Sequence, residues 1–302
     1  MHGVLVIAKP AGPTSHDVVA LVRRLAATRR IGHGGTLDPF ASGVLPLFLG
    51  GATRVVEYHL GDDKAYRATI CFGETSTTDD LDGERTPVDG PVIERPTVEA
   101  GLAAMLGVQL QRPPAYSAVQ VGGRRAYAMA RAGEAVELPP REVQFHVLDL
   151  LEWDEADPAR PIAIVDVRCS AGTYVRALAR DLGARLGSGA YLGALVRAAS
   201  GPFRLEDAHP LDRIRDAAAA DGPEGIRRLL LPIDTGLDAM PAVPLTDPEI
   251  ADATLGRFVR PAAGVTNAEE GVAVRLLDAA GVLVGLGRRE GARIAPTKIL
   301  PR

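Results

Sequence analysis

Residues 32–45 read GHGGTLDPFASGVL, a glycine-rich loop that runs into an apolar strand. The glycines permit positive φ angles and the close approach of another backbone or of a ligand. Pro39 restricts Asp38 to an extended conformation. The segment therefore predicts a carboxylate that is held in a fixed direction beside a surface without side chains. An Asp-Pro pair that only begins a turn is the alternative, so this segment by itself leaves the role of Asp38 open.

A second segment, RCSAGTYVR at residues 168–176, gathers polar groups at the start of a predicted helix. A strand is predicted to end at Gly172, and Thr173 is predicted to cap the helix that follows. Backbone N–H groups collect at such an N-terminus, here together with Tyr174 and Arg176. An arginine in the first turn opposes the helix dipole. A carboxylate or phosphate partner therefore explains Arg176 better than helix stability does, although an unpartnered surface arginine is the alternative.

The hydrophobic pattern of the remaining chain predicts a mixed α/β domain followed by a small module. Strands are predicted near 4–7, 44–49, 64–72, 143–151, 162–169 and 195–203, and helices near 14–25, 52–59, 97–106, 124–132 and 173–186. Tyr66 lies in one of these strands, where a tyrosine usually serves packing. Prolines around residues 237–244 predict a linker, and the strand-turn-strand pattern after it suits a small β-barrel. The predicted domains are 1–238 and 239–302.

Composition favours a water-soluble protein of a reducing compartment. Of the 302 residues, 46% are hydrophobic, which is enough to bury a substantial core. Cys71 and Cys169 have no metal-binding spacing and are predicted to be buried, reduced thiols. No secretory leader is expected, and no apolar run approaches the ~20 residues that span a bilayer. We therefore expect a cytoplasmic protein with no membrane contact.

The charge distribution keeps nucleic acid open as a partner. The net charge of −4 argues mildly against it. However, Arg23, Arg24, Arg29 and Arg30 lie within eight positions, while residues 74–94 are strongly acidic. An acidic segment can set the total charge while a basic surface elsewhere meets phosphate. The alternative is that the arginine cluster and the acidic segment are simply solvent-exposed surfaces of opposite charge.

Five motifs in order extend beyond these local patterns: KPAGPTS at residues 9–15, GHGGTLDPFASGVL at 32–45, KAY at 64–66, PPAYSA at 113–118 and SAGTYVR at 170–176. Together they resemble the motifs of the bacterial tRNA pseudouridine-55 synthases, the TruB family, with weaker similarity to the end of the chain. The resemblance implies an α/β (α+β) pseudouridine synthase fold with a mixed, mainly antiparallel sheet. It also implies that residues 239–302 form a small PUA-like RNA-binding β-barrel.

The resemblance implies roles for particular residues. Asp38 corresponds to the essential aspartate, Tyr66 to the tyrosine that stacks on the target base, and Arg176 to the arginine that pairs with the aspartate. Substrate contacts are implied for His33, Gly35, Thr36, Tyr174, Leu195 and Lys9, and in the tail phosphate contacts are hypothesised for Arg257, Arg260, Arg288 and Arg289. The sequence departs from the family pattern at Ala171, where a lysine is frequent, and at Ser42, where a threonine is.

The implied reaction converts the T-loop uridine at position 55 of tRNA into pseudouridine. It breaks the C1′–N1 bond, turns the base and joins C5 to C1′ without exchange of electrons, so we expect neither a cofactor nor a metal. An ionised Asp38 could attack C1′ or C6, or stabilise a glycosyl cation. An arginine partner would favour its charged form. The target nucleotide must leave its stack, and stacking on Tyr66 would offset part of that cost.

Three other functions compete with this interpretation. A non-catalytic tRNA-binding or tRNA-folding protein could keep the same fold. A retaining glycosidase would need a second catalytic carboxylate, and the sequence offers none in a comparable setting. A guide-directed synthase within a protein complex usually carries terminal extensions, whereas Met1 here leads almost directly into the first motif. We therefore expect a monomer that binds the T-arm of tRNA and requires no protein partner.

The role of Asp38 is testable by one substitution. Asp38→Asn should abolish pseudouridine formation because it removes the single carboxylate of the constellation. Affinity for tRNA should stay within roughly tenfold of the wild type, since the amide keeps the shape of the side chain. Product formation and filter binding measure the two quantities, and turnover near the wild-type rate would contradict the assignment.

Overall fold

The computed structural model describes residues 1–117, 119–134, 138–261 and 268–301. Ala118, the last residue of the PPAYSA motif, lies outside them. The helices are α1 (Ser15–Leu25), α2 (Glu57–Leu60), α3 (Arg95–Ala103), α4 (Ala126–Arg131), α5 (Val175–Leu186), α6 (Leu211–Arg227) and α7 (Asp247–Thr254), with a 3₁₀ turn at Gly50–Arg54. Within the described ranges, no helix is long and apolar enough to cross a membrane.

The strands are β1 (Gly3–Lys9), β2 (Ile31–His33), β3 (Ser42–Leu49), β4 (Lys64–Phe72), β5 (Glu74–Ser76), β6 (Arg85–Pro87), β7 (Gly107–Gln111), β8 (Gln120–Val121), β9 (Arg124–Arg125), β10 (Arg141–Asp154), β11 (Ile162–Cys169), β12 (Ala190–Ser200), β13 (Phe203–Arg204), β14 (His209–Pro210), β15 (Ala242–Pro244), β16 (Ala273–Leu277), β17 (Leu283–Glu290) and β18 (Arg293–Ile299). The main sheet has the order β14-β1-β3-β12-β4-β11-β10-β7, with β2 paired to β3 and β13 to β12. The β1–β14 and β3–β12 pairs are parallel and the other pairs are antiparallel. The expected mixed, mainly antiparallel sheet is confirmed.

Helix α1 begins where its sequence predicts, because Thr14 is its N-cap. The Thr14 hydroxyl accepts from the Asp17 N–H at 3.1 Å, and the Asp17 carboxylate accepts from the Thr14 N–H at 2.9 Å, which completes a capping box. Val18, Val19 and Val22 are buried, as their helical spacing predicts. The cap fixes the position of the residues just before it, which belong to the first of the five motifs.

Strand β3 is buried on both faces of the sheet. Leu45, Leu47 and Leu49 on one face join the main core under α1, α5 and α6. Val44 and Phe48 on the other face join a second cluster, which includes Leu237 and Leu286. A strand covered on both faces is apolar without alternation, which explains the continuous apolar run in the sequence.

The C-terminal part is a four-stranded sheet in the order β15-β16-β17-β18. It has its own core, with Val274, Leu276 and Ile294 near its centre. The predicted strand-turn-strand pattern is present as β16 and β17. Leu286 ties this sheet to the main domain through the cluster under β3. The boundary at residue 238 and the PUA-like character of this sheet stay predictions.

Some elements differ from the sequence prediction. Helix α6 was not predicted, because Asp221 and Gly222 leave helical geometry in its interior and Pro223 follows them, so its pattern is interrupted. The acidic segment at residues 74–94, in which no strand was predicted, contains the short hairpin of β5 and β6. Strand β7 was also missed. The predicted helix at 124–132 starts after a second hairpin, β8 and β9, and the one at 52–59 is divided into the 3₁₀ turn and α2.

The contact between the two sheets predicts a stability effect. Leu286→Ala should lower the free energy of unfolding by about 2–5 kcal/mol, because Leu286 is fully buried and the cavity would lie between two rigid sheets. Val282→Ala is the matched control, since Val282 is 60% exposed and lies immediately before β17 of the same sheet. Urea denaturation of both variants measures the difference, and an equal decrease in both would contradict a packed junction.

Candidate active site

The loop that carries Asp38 is bound to the first motif. The Ser15 hydroxyl donates to the Leu37 carbonyl at 3.0 Å and accepts from the Leu37 N–H at 2.9 Å. The Gly12 N–H donates to the Pro39 carbonyl at 2.8 Å. Residues 9–15 and 32–45 are thus two halves of one structural unit, and this explains why the two motifs occur together.

Lys9 lies beneath this loop and is 1% exposed. Its ammonium donates to the Ala41 carbonyl at 2.6 Å, to Pro10 at 2.9 Å and to Pro39 at 3.3 Å. Burial lowers the pKa of Lys9 to about 8, although the nearby Asp38 carboxylate acts to raise it. The sequence analysis expected Lys9 to contact substrate. Because its donors face inward, we propose instead that Lys9 positions the loop.

Arg197, which the sequence analysis did not identify, supports the same loop from β12 and is also 1% exposed. Its Nε donates to the Val44 carbonyl at 2.7 Å, Nη1 to Thr36 at 3.3 Å and Nη2 to Gly35 at 3.1 Å. Buried arginines usually pair with a carboxylate, whereas this one is satisfied by backbone carbonyls. The signal in the sequence that points to Arg197 is that it is a single charged residue within an otherwise apolar strand.

Two glycines make this arrangement possible. Gly43 has φ +112°, and a Cβ there would lie 2.2 Å from the Arg197 carbonyl oxygen, so β3 and β12 can approach only with glycine at this position. Gly35 has φ +127°, and its carbonyl faces Arg197. Thr36 likewise directs its carbonyl inward while the residue as a whole is exposed. Substrate contact by Gly35 and Thr36 stays a prediction.

Tyr66 lies directly opposite Arg197 in the antiparallel pair of β4 and β12, and Ala68 lies opposite Leu195. Residues opposite each other share one face of a sheet, so Tyr66, Leu195 and Arg197 are neighbours. Burial raises the pKa of Tyr66, while the Arg197 guanidinium beside it acts to lower it. The phenol is therefore protonated at neutral pH. Leu195 is 8% exposed and forms an apolar wall beside it.

Arg176, in the first turn of α5, lies between two carboxylates. Its Nε is 3.0 Å from Asp38 Oδ2, Nη2 donates to Asp38 Oδ1 at 3.4 Å, and Nη1 is 3.2 Å from Asp80 Oδ2. The guanidinium also donates to the carbonyls of Tyr116 at 2.9 Å and Thr78 at 3.1 Å. Asp38 and Arg176 are in contact, as the resemblance implied. Their catalytic roles stay predictions.

Asp80 is a residue of the site that the sequence analysis missed. It lies in the strongly acidic segment at residues 74–94, yet it is 4% exposed. Its carboxylate accepts from the Thr78 hydroxyl and from the Asp82 N–H. The sequence contains no local signal that separates Asp80 from the other acidic residues around it, because its burial depends on contacts with β12 and α5.

The charge state of Asp38 is set by opposing effects. Burial raises the pKa of Asp38, Arg176 lowers it, Asp80 raises it and Lys9 lowers it, and the net effect is a raised pKa. The sequence analysis expected the arginine to favour the charged form. That effect is present, but the loss of solvation outweighs it. Asp38 is therefore more basic than a free aspartate, and its side chain keeps 36% exposure toward solvent.

Tyr174 is held at the N-terminus of α5 by its backbone. Its N–H donates to Gln111 Oε1 at 2.8 Å, and its carbonyl accepts from Gln111 Nε2 at 3.1 Å. The Arg141 guanidinium lies over the ring, 4.7 Å from its centroid. The prediction that Thr173 caps α5 was wrong: Tyr174 is the N-cap, and the Thr173 hydroxyl donates to the Ser170 carbonyl at 2.9 Å.

His33 ends β2 beside the Asp38 loop. Its Nδ1 accepts from the Gly35 N–H at 3.4 Å, and its ring meets the edge of His16 with centroids 6.1 Å apart. Burial lowers the pKa of His33, and the neighbouring His16 and Arg197 add to the decrease. The imidazole is therefore neutral at pH 7, which suits hydrogen bonding to a base or ribose more than pairing with phosphate.

Comparisons with known proteins agree with this fold. The family model described as "TruB family pseudouridylate synthase (N terminal domain)" matches residues 23–175, and "tRNA pseudouridylate synthase B C-terminal domain" matches residues 176–238. The chain belongs to the TruB family of pseudouridylate synthases.

Similar proteins match over most of their length. The tRNA pseudouridine synthase B of Synechococcus sp. (strain WH7803) is 44% identical, over 96% of this chain and 94% of the relative. The tRNA pseudouridine synthase B of Thermobifida fusca (strain YX) is 52% identical, over 70% of this chain and 74% of the relative. A solved Cbf5-Nop10-Gar1 complex contains a chain that is 27% identical with a TM-score of 0.74, over 99% of this chain and 84% of that one.

The two family matches meet between residues 175 and 176, within α5. Asp38 and Tyr66 belong to the first match and Arg176, Leu195 and Arg197 to the second. Strand β12 of the second match lies in the sheet between β3 and β4 of the first. The two regions therefore fold as one unit, and the candidate site is complete only when both are present.

The carbonyl contacts of Arg197 predict a positioning role. Arg197→Met should lower the single-turnover rate more than RNA affinity, because the substitution removes three hydrogen bonds to the segment that carries Asp38. Arg197→Lys should recover part of the rate, since an ammonium supplies donors but not the planar fork. Leu276→Ala is the control for decreased stability, because Leu276 is fully buried in the separate core of the C-terminal sheet. A rate decrease equal to that of the control at matched stability would contradict positioning.

Proposed function

We propose that this chain is a tRNA pseudouridine synthase that isomerises the T-loop uridine at position 55 to pseudouridine. The observation that carries the proposal is the Asp38–Arg176 pair, with 3.0 Å between Oδ2 and Nε, on a loop that Lys9 and Arg197 hold from below. A rigid loop presents one partly exposed carboxylate to a flipped nucleotide. Such fixed placement is what a reaction at a single sugar–base bond requires.

The proposed mechanism uses Asp38 in its ionised form. The carboxylate attacks C1′ or C6, or stabilises the glycosyl cation, while the C1′–N1 bond breaks and the detached base turns to present C5. C5 then bonds to C1′, any bond to the carboxylate breaks, C5 loses its proton and N1 gains one, so that product and substrate are isomers. Arg176 keeps the carboxylate oriented and opposes the effect of burial on its charge. The isomerisation needs no electron transfer, and the proposal therefore includes neither a cofactor nor a metal.

The other residues of the proposed site hold the nucleotide. Tyr66 stacks on the flipped uracil and offsets part of the cost of unstacking. Leu195, next to Tyr66 on the same face, supplies an apolar wall, and Tyr174 closes the side near α5. His33, neutral and at the end of β2, contacts the RNA at the entrance. Enclosure keeps the free base in place while it turns.

The proposed substrate is the T-arm of tRNA, bound by a cytoplasmic monomer without a protein partner. Relatives named tRNA pseudouridine synthase B support this, since one aligns over 96% of this chain at 44% identity. By contrast, the chains in the solved structures titled as H/ACA RNP and Cbf5-Nop10-Gar1 assemblies are only 25% and 27% identical to this chain. Cys71, which is half-buried rather than buried, and Cys169 are both unpaired thiols, consistent with a reducing compartment.

Residues 239–302 are proposed to be the PUA-like RNA-binding domain. Of the four arginines hypothesised to meet phosphate, Arg257 pairs with Asp252 at 3.1 Å and Arg289 donates to the Ala268 carbonyl. Arg260 and Arg288 are exposed. We therefore propose Arg260 and Arg288 as the stronger candidates of this set.

A non-catalytic tRNA-binding or tRNA-folding protein is the second candidate function, and it can coexist with the first. The complete Asp38–Arg176–Asp80 cluster favours catalysis, because binding alone does not require a buried guanidinium between two carboxylates. The Asp38→Asn variant separates the two activities.

The direct test is to incubate the protein with unmodified tRNA transcript and map pseudouridine by position. We expect one modified uridine, at position 55, without addition of a cofactor. A map without pseudouridine, despite measurable tRNA binding, would favour the folding protein. Pseudouridine at another position only would contradict the proposed substrate.

The electrostatics of the site predict a pH dependence. Because burial raises the pKa of Asp38, the acid limb of the single-turnover rate should lie above ~3.9, the ordinary pKa of aspartate. Asp80→Asn removes a charge that raises this pKa, so the limb should move to lower pH. Arg176→Gln removes a charge that lowers it, so the limb should move to higher pH. Shifts in the same direction would contradict the assignment of the limb to Asp38.

A further inference from the structure

Helix α5 begins at a residue that does not cap it. Tyr174 occupies the N-cap position, and its side chain makes no capping hydrogen bond. Serine, threonine, aspartate and asparagine are preferred there, because a short side chain can place an oxygen against the free N–H groups of the first turn. The phenol of a tyrosine is too long for that contact. Natural proteins break local rules of this kind mainly at functional sites and compensate for the break elsewhere.

The compensation comes from Gln111, the last residue of β7. Its Oε1 accepts from the Tyr174 N–H at 2.8 Å, and its Nε2 donates to the Tyr174 carbonyl at 3.1 Å. The same carbonyl accepts from the Leu178 N–H at 3.1 Å, which begins the helical hydrogen bonding. Gln111 is 2% exposed, so its two hydrogen bonds are shielded from water. One amide therefore fixes both backbone groups of the residue from which α5 starts.

The ring of Tyr174 is held from the neighbouring position of the sheet. Arg141 of β10 lies directly opposite Gln111 in the β7–β10 pair, and residues opposite each other share one face. The Arg141 guanidinium lies 4.7 Å from the centroid of the ring and donates to the Gly172 carbonyl. Such a cation–π contact favours one placement of the ring. Tyr174 is thus held at two points, its backbone by Gln111 and its ring by Arg141.

The segment that follows Gln111 is fastened to α5 as well. The Arg112 carbonyl accepts from Arg180 Nη2 at 2.8 Å, and the Tyr116 carbonyl accepts from Arg176 Nη2 at 2.9 Å. The two prolines between these carbonyls restrict the backbone further. The amide of Gln111 therefore projects from a base that is itself fixed along the first two turns of the helix.

We propose that Gln111 is a positioning residue of the reaction, because its amide sets the place of the Tyr174 ring and with it one wall of the pocket for the target base. The inference rests on the proposed function, in which Tyr174 closes the pocket near α5. The detached base has to turn without leaving, so this wall must keep its position during the turn. A displacement of about 1 Å in such a wall can cost roughly a hundredfold in rate. Removal of the amide frees the backbone of Tyr174, while β7 and α5 keep their own packing.

The test compares the wild type with three variants of β7. Gln111→Met keeps the length of the side chain and removes both hydrogen bonds. Gln111→Glu keeps the acceptor for the Tyr174 N–H and removes the donor, and its charge suits the N-terminus of a helix. Gln109→Met is the matched control, since it makes the same change two residues earlier on the same face of β7, where the amide donates to the Leu106 carbonyl at 3.4 Å.

The first measurement follows the ring in the absence of RNA. The six tyrosines are replaced by 3-fluorotyrosine, and the fluorine resonance of Tyr174 is identified by its loss in Tyr174→Phe. In Gln111→Met we expect this resonance to shift or broaden, because the ring no longer keeps one position against Arg141. Gln109→Met should retain the wild-type spectrum, and Gln111→Glu should lie between the two. An unchanged Tyr174 resonance in Gln111→Met overturns the inference.

The second measurement is the single-turnover rate with saturating unmodified tRNA. We expect Gln111→Met to lower this rate by about tenfold to a hundredfold. Affinity for the tRNA should stay within about threefold of the wild type, because the lost interaction acts on the reaction rather than on binding. Gln111→Glu should recover part of the rate, and Gln109→Met should keep all of it. Equal losses of rate and affinity in Gln111→Met, without recovery in Gln111→Glu, would show a merely structural role.

The outcomes separate this inference from the proposed function. If the wild type forms pseudouridine and Gln111→Met keeps the wild-type rate, positioning by Gln111 is overturned while the proposed function stands. Absence of pseudouridine with the wild type overturns the proposed function, and with it the role of Gln111 in that reaction. The fluorine resonance still decides in that case whether Gln111 places the ring of Tyr174.

Discussion

The buried guanidinium of Arg197 is the interaction on which the candidate site depends. It binds the carbonyls of Val44, Thr36 and Gly35 from within the sheet. Two of these carbonyls belong to a loop that has no regular partner strand, and without the guanidinium these partly buried groups would lose the hydrogen bonds that fix the loop. Lys9 lies opposite Gly43 in β1, and Arg197 lies opposite the same glycine in β12. Two cations therefore support the loop at one level of the sheet, and they can do so because Gly43 keeps the space between the strands free.

In addition to the support from Lys9 and Arg197, the guanidinium of Arg176 is shared by the carboxylates of Asp38 and Asp80. Arg176 orients Asp38, while Asp80 competes for the same positive charge and raises the pKa of Asp38 together with burial. The result is a carboxylate that is fixed in direction and more basic than a free aspartate. Both properties favour a group that must attack or stabilise one carbon atom. The cluster is also structural, because the guanidinium holds the carbonyls of Thr78 and Tyr116 and so joins two segments distant in sequence to α5.

The second constraint is the burial of β3 on both faces. Its odd-numbered leucines complete the main core, and Val44 and Phe48 complete the cluster that Leu286 enters from the C-terminal sheet. The strand that follows the Asp38 loop thus also fixes the small sheet against the main domain. This packing places the end of β18 near Arg54, whose guanidinium donates to the Ile299 carbonyl. The Asp38 loop and the position of the C-terminal sheet therefore both depend on β3.

The sequence by itself determined the elements with clear periodicity, such as α1, β4 and β11, and the resemblance of its ordered motifs to a family implied roles for Asp38, Tyr66 and Arg176 that stay predictions. These features are local: a cap, an alternation or a glycine next to an Asp-Pro pair has its effect within a few residues. The sequence did not identify Asp80 or Arg197, and it assigned Lys9 a substrate contact although its ammonium faces inward. Whether a charged side chain is exposed or buried depends on which distant backbone comes to meet it, as when Arg176 reaches Thr78 across 98 residues. Only the tertiary structure decides that, because the cost of burying a charge is offset by partners whose proximity no local pattern encodes.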